Sequence, residues 1–128
     1  MPLLSLVGSD DYMLTTHRNH GHLLARGADP APLMAEILGK ATGTNHGKGG
    51  TLHLTVRELG FLSTSALVGG VVPMATGAAL AAKAQGQGKV GVCLFGDGAL
   101  EEGATPESFN MAALWQLPII YACENNSF

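Results

Sequence analysis

Two apolar runs in the second half of the chain set the architecture. Val90-Gly91-Val92-Cys93-Leu94-Phe95 and Pro118-Ile119-Ile120-Tyr121-Ala122-Cys123 are continuous, strand-length and bounded by polar or Gly-containing segments, the pattern of strands buried on both faces. Between them Thr105-Pro106-Glu107 predicts a helix start, with a capping hydroxyl, Pro in the first turn and an acid at the positive dipole end. Phe109, Ala112, Ala113 and Leu114 continue that helix to about Gln116. Strand, helix, strand in this order is a βαβ unit, hence a parallel sheet with a right-handed crossover. The fold class is α/β.

The first half is patterned at helical spacing. Tyr12, Met13, Leu14, Leu23 and Leu24 predict a helix from Asp10 to about Ala25, interrupted by the polar run His17 to His22 and closed by Gly27. Asp29-Pro30 predicts a second helix start, with Leu33, Met34, Ile37 and Leu38 on one face and Gly39 as the stop. Residues 42–50, Thr-Gly-Thr-Asn-His-Gly-Lys-Gly-Gly, form a loop with almost no apolar content. From Val72 to Gln85, Pro73 opens a helix rich in Ala and Gly, whose small side chains suit close packing on a sheet or at a subunit contact.

Composition narrows the class. Hydrophobic residues at 46% and charged residues at 13%, with a net charge of -3, exclude a disordered chain and a basic nucleic-acid surface. The longest apolar stretch is broken by Gly and Pro before membrane-spanning length. Met1 to Leu6 is too short and uncharged for an export signal, so a cytoplasmic setting is expected. Cys93 and Cys123 lie in apolar runs without a CxxC pair and are expected as two buried thiols.

Ligands of open parallel sheets bind beyond the carboxyl ends of the strands. Gly96-Asp97-Gly98 follows the first strand and Glu124-Asn125-Asn126 the second, so parallel pairing puts both at one edge. A carboxylate, an amide oxygen and a nearby main-chain carbonyl are hard oxygen donors that suit Mg²⁺ bridged to phosphate. Gly98 allows close backbone approach, and Ala99 adds little bulk. Other readings are weaker. His17, His20, His22, His46 and His53 lack the spacing of a structural zinc site. Lys48 is followed by Gly49, with no preceding strand, so the nucleotide P-loop pattern fails; a loop ordered at a subunit contact is expected instead.

Gly-Asp-Gly followed at this distance by Asn-Asn is the thiamine-diphosphate signature. The runs His17-Arg18-Asn19-His20-Gly21, Ala35-Glu36-Ile37-Leu38-Gly39, Gly47-Lys48-Gly49-Gly50-Thr51-Leu52-His53, Val68-Gly69-Gly70-Val71-Val72-Pro73, Asn110-Met111-Ala112-Ala113-Leu114-Trp115 and Cys123-Glu124-Asn125-Asn126 keep one order. Together they resemble the α subunit of the thiamine-diphosphate-dependent 2-oxo-acid dehydrogenases: the pyruvate, branched-chain and acetoin enzymes. The similarity runs from about Tyr12 to Phe128.

The resemblance implies a parallel-sheet thiamine-diphosphate-binding fold, of which residues 1–128 form one partial, diphosphate-side domain. It implies Mg²⁺ held by Asp97, Asn126 and the main-chain oxygen of Phe128. Gly98 and Ala99 would meet the diphosphate through their backbone, Arg18 through its planar guanidinium, and His17 through its ring. Ala66 would contact the aminopyrimidine through its backbone, Val68 would support the bent cofactor, and His20 would line the reaction space as the catalytic residue. The chain departs from the family pattern at His17, where Tyr is common, and at Ala66 and Phe128, where a backbone contact tolerates the change.

The reaction implied is oxidative decarboxylation of a 2-oxo acid, or acetoin cleavage, with a Glu on a separate β subunit that this chain lacks. A later catalytic loop is also absent from these residues. Inactivity alone, a partner β subunit or self-association, and an open sheet edge are therefore expected. The rival readings are a non-catalytic oligomeric remnant that no longer binds cofactor and a Mg²⁺-nucleotide-binding domain.

Overall fold

The computed structural model describes residues 2–17, 19–86 and 88–126. Four strands, β1 (Tyr12–Thr16), β2 (Phe61–Ser65), β3 (Gly91–Gly96) and β4 (Ile119–Glu124), form one sheet in the order β2-β1-β3-β4. Every neighbouring pair is parallel. Around it lie α1 (Pro2–Leu6), α2 (His20–Ala25), α3 (Pro30–Ile37), α4 (Val71–Ala84) and α5 (Ala104–Leu114), with 3₁₀ turns at Arg57–Leu59 and Asp97–Glu101. Among the described residues no helix is long and apolar enough to cross a membrane.

Alternation along the strands divides the core in two. Met13, Val92 and Leu94 point to one face, where they pack with Leu4, Leu23, Leu33, Leu54 and Phe61. Leu14, Cys93 and Phe95 point to the other, against Val71, Val72, Ala75 and Ala99. Helices therefore cover both faces, as a parallel sheet requires. The small residues of α4 account for the close approach on the second face. A Cβ at Gly91 would sit 3.1 Å from the Ala79 Cβ.

The β3-α5-β4 unit matches its pattern, with one change at the start of α5. Thr105 does not cap the helix; its hydroxyl donates to the Ala99 carbonyl at 2.6 Å and ties the turn after β3 to α5. The helix expected from Asp10 to Ala25 is replaced by β1 followed by the short α2. Burying Met13 and Leu14, both at most 2% exposed, contributes about 2 kcal/mol each. Helix propensity differs by only about 0.5 kcal/mol per residue among ordinary side chains, so burial between β2 and β3 decides for a strand. β2 itself carried no clear signal in the sequence. It begins directly after Gly60, whose φ of +69° and tight fit over the Asp11 carbonyl admit only glycine.

In α3, Asp29 caps as expected, its carboxylate accepting from the Ala31 N–H at 2.9 Å. The expected inward face does not hold. Met34, Ile37 and Leu38 are exposed, while Leu33 and the carboxylate residue Glu36 are buried.

The two cysteines also differ from expectation: Cys93 is buried and Cys123 is exposed on the edge strand β4. Burial pushes the Cys93 thiol up to about 12. Desolvation, then the charges of Asp97 and Glu124, raise the Cys123 thiol. Because the thiolate is the reactive form, a disulfide reagent is expected to modify Cys123 alone in the native protein. Its rate should climb with pH, and Cys93 should react only after unfolding, as read by mass spectrometry of the labelled chain.

Candidate metal-diphosphate site

β3 and β4 run in register to Gly96 opposite Glu124, and both segments then leave the sheet at the same edge. There Thr16, His17, Gly96, Asp97, Glu124, Asn125 and Asn126 line a cleft of about 430 Å³. The tips of β1, β3 and β4 thus converge on one space beyond the strand ends. Asp97 opens the 3₁₀ turn after β3, and Ala99, fully buried beneath it, anchors the turn through the Thr105 hydroxyl.

The donor set suits a cation bound to an anion. Two carboxylates, Asp97 and Glu124, and two carboxamides border the cleft, and no described Lys or Arg does. These are hard oxygen donors of the kind Mg²⁺ takes. A Cβ built on Gly96 or Gly98 would meet no atom within 4 Å, so the backbone there is open to a ligand. His17 Nδ1 is buried without a partner among the described residues and is available to a phosphate oxygen. The residues present therefore fit a magnesium diphosphate.

The other site residues expected from the sequence are spread along the same edge. Gly98 and Ala99 belong to the turn just described. Ala66 and Val68 follow β2 and are exposed, outside the lining of the cleft. His20 starts α2, and its Nε2 lies 2.8 Å from the Thr51 hydroxyl. Arg18 and Phe128 lie outside the described residues.

Two polar groups near the site had no signal of their own in the sequence. His22, nearly buried, bridges Thr15 Oγ1 and Glu124 Oε1, each at 3.2 Å, and so ties β1 to the tip of β4 across the end of β3. Glu36 is fully buried, and its carboxylate accepts backbone N–H bonds from Asn45 (2.8 Å), Gly47 (2.8 Å), Gly49 (2.6 Å) and Gly50 (3.3 Å). Burial alone would raise its pKa; the four donors outweigh that and hold it below the ordinary carboxylate value. The glycine-rich loop thus does cradle an anion, supplied by the chain itself. Gly43 packs too tightly on Glu36 for a side chain, and a Cβ at Gly47 would lie 2.7 Å from the Gly39 carbonyl.

The model of the dehydrogenase E1 component family matches residues 4–128. The α subunit of acetoin:2,6-dichlorophenolindophenol oxidoreductase from Cupriavidus necator is 43% identical over 98% of this chain and 38% of its own length. Its Bacillus subtilis counterpart is 46% identical over 92% of the chain and 35% of its own length. The pyruvate dehydrogenase E1 component subunit alpha of Zymomonas mobilis is 44% identical, over 92% and 33%. The chain therefore spans little more than a third of these relatives. A solved structure from Mycobacterium smegmatis, assigned as a thiamin diphosphate-dependent enzyme, superposes with a TM-score of 0.58 at 20% identity. That match covers 97% of this chain and 19% of the other, and it shows a shared fold.

Proposed function

Because the chain belongs to the dehydrogenase E1 component family, we propose that it forms the thiamine-diphosphate- and Mg²⁺-binding portion of a 2-oxo-acid dehydrogenase first-component α subunit. The observation that carries this reading is the convergence of Asp97 and Asn126 on one cleft at the carboxyl edge of the sheet. In the proposal, Asp97, Asn126 and the main-chain oxygen of Phe128 hold Mg²⁺. The backbones of Gly98 and Ala99, with His17 and Arg18, hold the diphosphate. Ala66 and Val68 meet the organic half of the cofactor, and His20 stands where substrate reacts.

The bound cofactor would supply a nucleophilic carbon and an electron sink for cleaving the bond beside a carbonyl. This chain's part is to fix the charged end: an oxygen-rich cleft neutralised by metal, with ring and backbone N–H donors around the phosphate oxygens. The substrate class is a 2-oxo acid or acetoin. The proposal includes assembly with a β subunit that contributes the catalytic carboxylate, a cytoplasmic setting, and little or no turnover by these 128 residues alone. The outer edge of β4, unpaired among the described residues and bearing the exposed Ile120, supports association through added chain.

Calorimetry with thiamine diphosphate is the test. Saturable heat that requires Mg²⁺ is expected. No heat at millimolar cofactor would overturn the proposal in favour of a non-catalytic remnant of the fold. Displacement by a magnesium nucleotide at lower concentration would favour a nucleotide site.

A further inference from the structure

The Thr51 hydroxyl lies 2.8 Å from His20 Nε2, joining the loop before β2 to the start of α2. Thr51 is exposed, so this bond competes with water. It can hold an imidazole still only if the hydroxyl is itself immobile. The backbone on either side of Thr51 is pinned. Before it, the N–H groups of Gly49 and Gly50 are bound to the buried Glu36 carboxylate. After it, the Leu52 carbonyl accepts from the Thr64 hydroxyl at 2.5 Å, and Thr64 Oγ1 in turn accepts from the Leu54 N–H at 2.8 Å. Thr64 lies in β2 and is 1% exposed. Thr51 is thus held between the Glu36 carboxylate of α3 and a strand of the central sheet.

We propose that Thr51 is a positioning residue for His20, carried on a loop that Glu36 and Thr64 lock, and that it fixes the ring's orientation. A hydroxyl both donates and accepts, so the bond at Nε2 serves either neutral tautomer while it holds the ring in one rotamer. A loop with a mobile Thr51 would leave His20 free to exchange rotamers. With Thr51 fixed, the ring is ready in one state, which lowers the reorganisation needed when it meets a substrate. Glu36 thereby acts at a distance, through the backbone of residues 45–50 and not by touching the ring. The inference rests on His20 as the active-site histidine.

The test reads His20 directly, by three-bond couplings that report its χ1 rotamer populations in labelled chain without cofactor, with the His20 signals assigned from a His20→Gln sample. In wild type one rotamer is expected to dominate. Thr51→Val, similar in shape but without the hydroxyl, is expected to shift the rotamer ratio by about threefold to tenfold, the span of one ordinary hydrogen bond. Thr51→Ser is expected to restore it. Glu36→Gln is expected to reproduce the Thr51→Val spectrum and to open Lys48 to trypsin. An unchanged His20 ratio in Thr51→Val overturns the proposal, and failure of Thr51→Ser to restore it does the same. A folded Glu36→Gln chain with wild-type His20 signals removes Glu36 from the relay; if that variant does not fold, the Thr51 pair still decides. Calorimetry on the same samples separates the two levels. An unchanged ring in Thr51→Val beside intact cofactor binding tells against the relay, whereas a fixed ring in wild type without cofactor binding tells against the function.

Discussion

Replacing Asp97 with alanine is expected to weaken Mg²⁺-dependent binding of thiamine diphosphate by more than about 100-fold, since partners one shell further out already cost about 10–100-fold. The side chain opens the turn after β3, is only partly buried and belongs to neither core cluster. Its loss opens no cavity, and stability should stay within about 0.5 kcal/mol of wild type. Calorimetry and urea unfolding together check this. Asp97→Asn keeps an oxygen donor but not the charge, so an intermediate loss is expected. Unimpaired binding in Asp97→Ala would remove the metal from this cleft.

Glu36→Gln should act on stability instead, by about 3 kcal/mol or more. Hydrogen bonds to a buried charge contribute about 1.5–3 kcal/mol each, and an amide nitrogen would turn toward donors it cannot accept from. The pH dependence has a definite sign. A carboxylate whose folded pKa is depressed contributes stability that is complete above its unfolded value, about 4.3. That contribution is lost as pH falls through the lower folded value. Wild type should therefore lose stability on acidification below about pH 4, and the Glu36→Gln curve should be flatter over that range. Urea midpoints measured across pH 3 to 7 would show it, and parallel curves would contradict the direction found for Glu36.

Different parts of this molecule were legible in the sequence for different reasons. The β3-α5-β4 unit was, because each strand is a short apolar run with polar punctuation at both ends. Asp97 and Asn126 follow from it, since parallel strands bring their following residues to one edge. β1 was not, because an apolar run of strand length has no period to separate it from a helix, and only its neighbours β2 and β3 resolve it. The inner face of α3 departs from its apolar stripe for a related reason. An apolar stripe is assumed to point inward, yet Met34 is 56% and Leu38 64% exposed while Glu36 is 0% exposed. A buried acid becomes intelligible only when its donors are known, and those of Glu36 lie 9 to 14 residues away in a loop without regular structure. The family resemblance named His20 but was silent on what steadies it.

The cleft draws on Thr16 and His17, Gly96 and Asp97, and Glu124 to Asn126, three stretches that no contiguous peptide of modest length contains. Its closure is a long-range event, of the kind that delays folding when loop-closure entropy must be overcome before contacts form. Occupancy and global folding are consequently linked by mass action. A ligand that recognises the assembled cleft and not its separate pieces raises the melting temperature of the entire sheet, so a thermal scan with magnesium and cofactor would report on strands the ligand never touches.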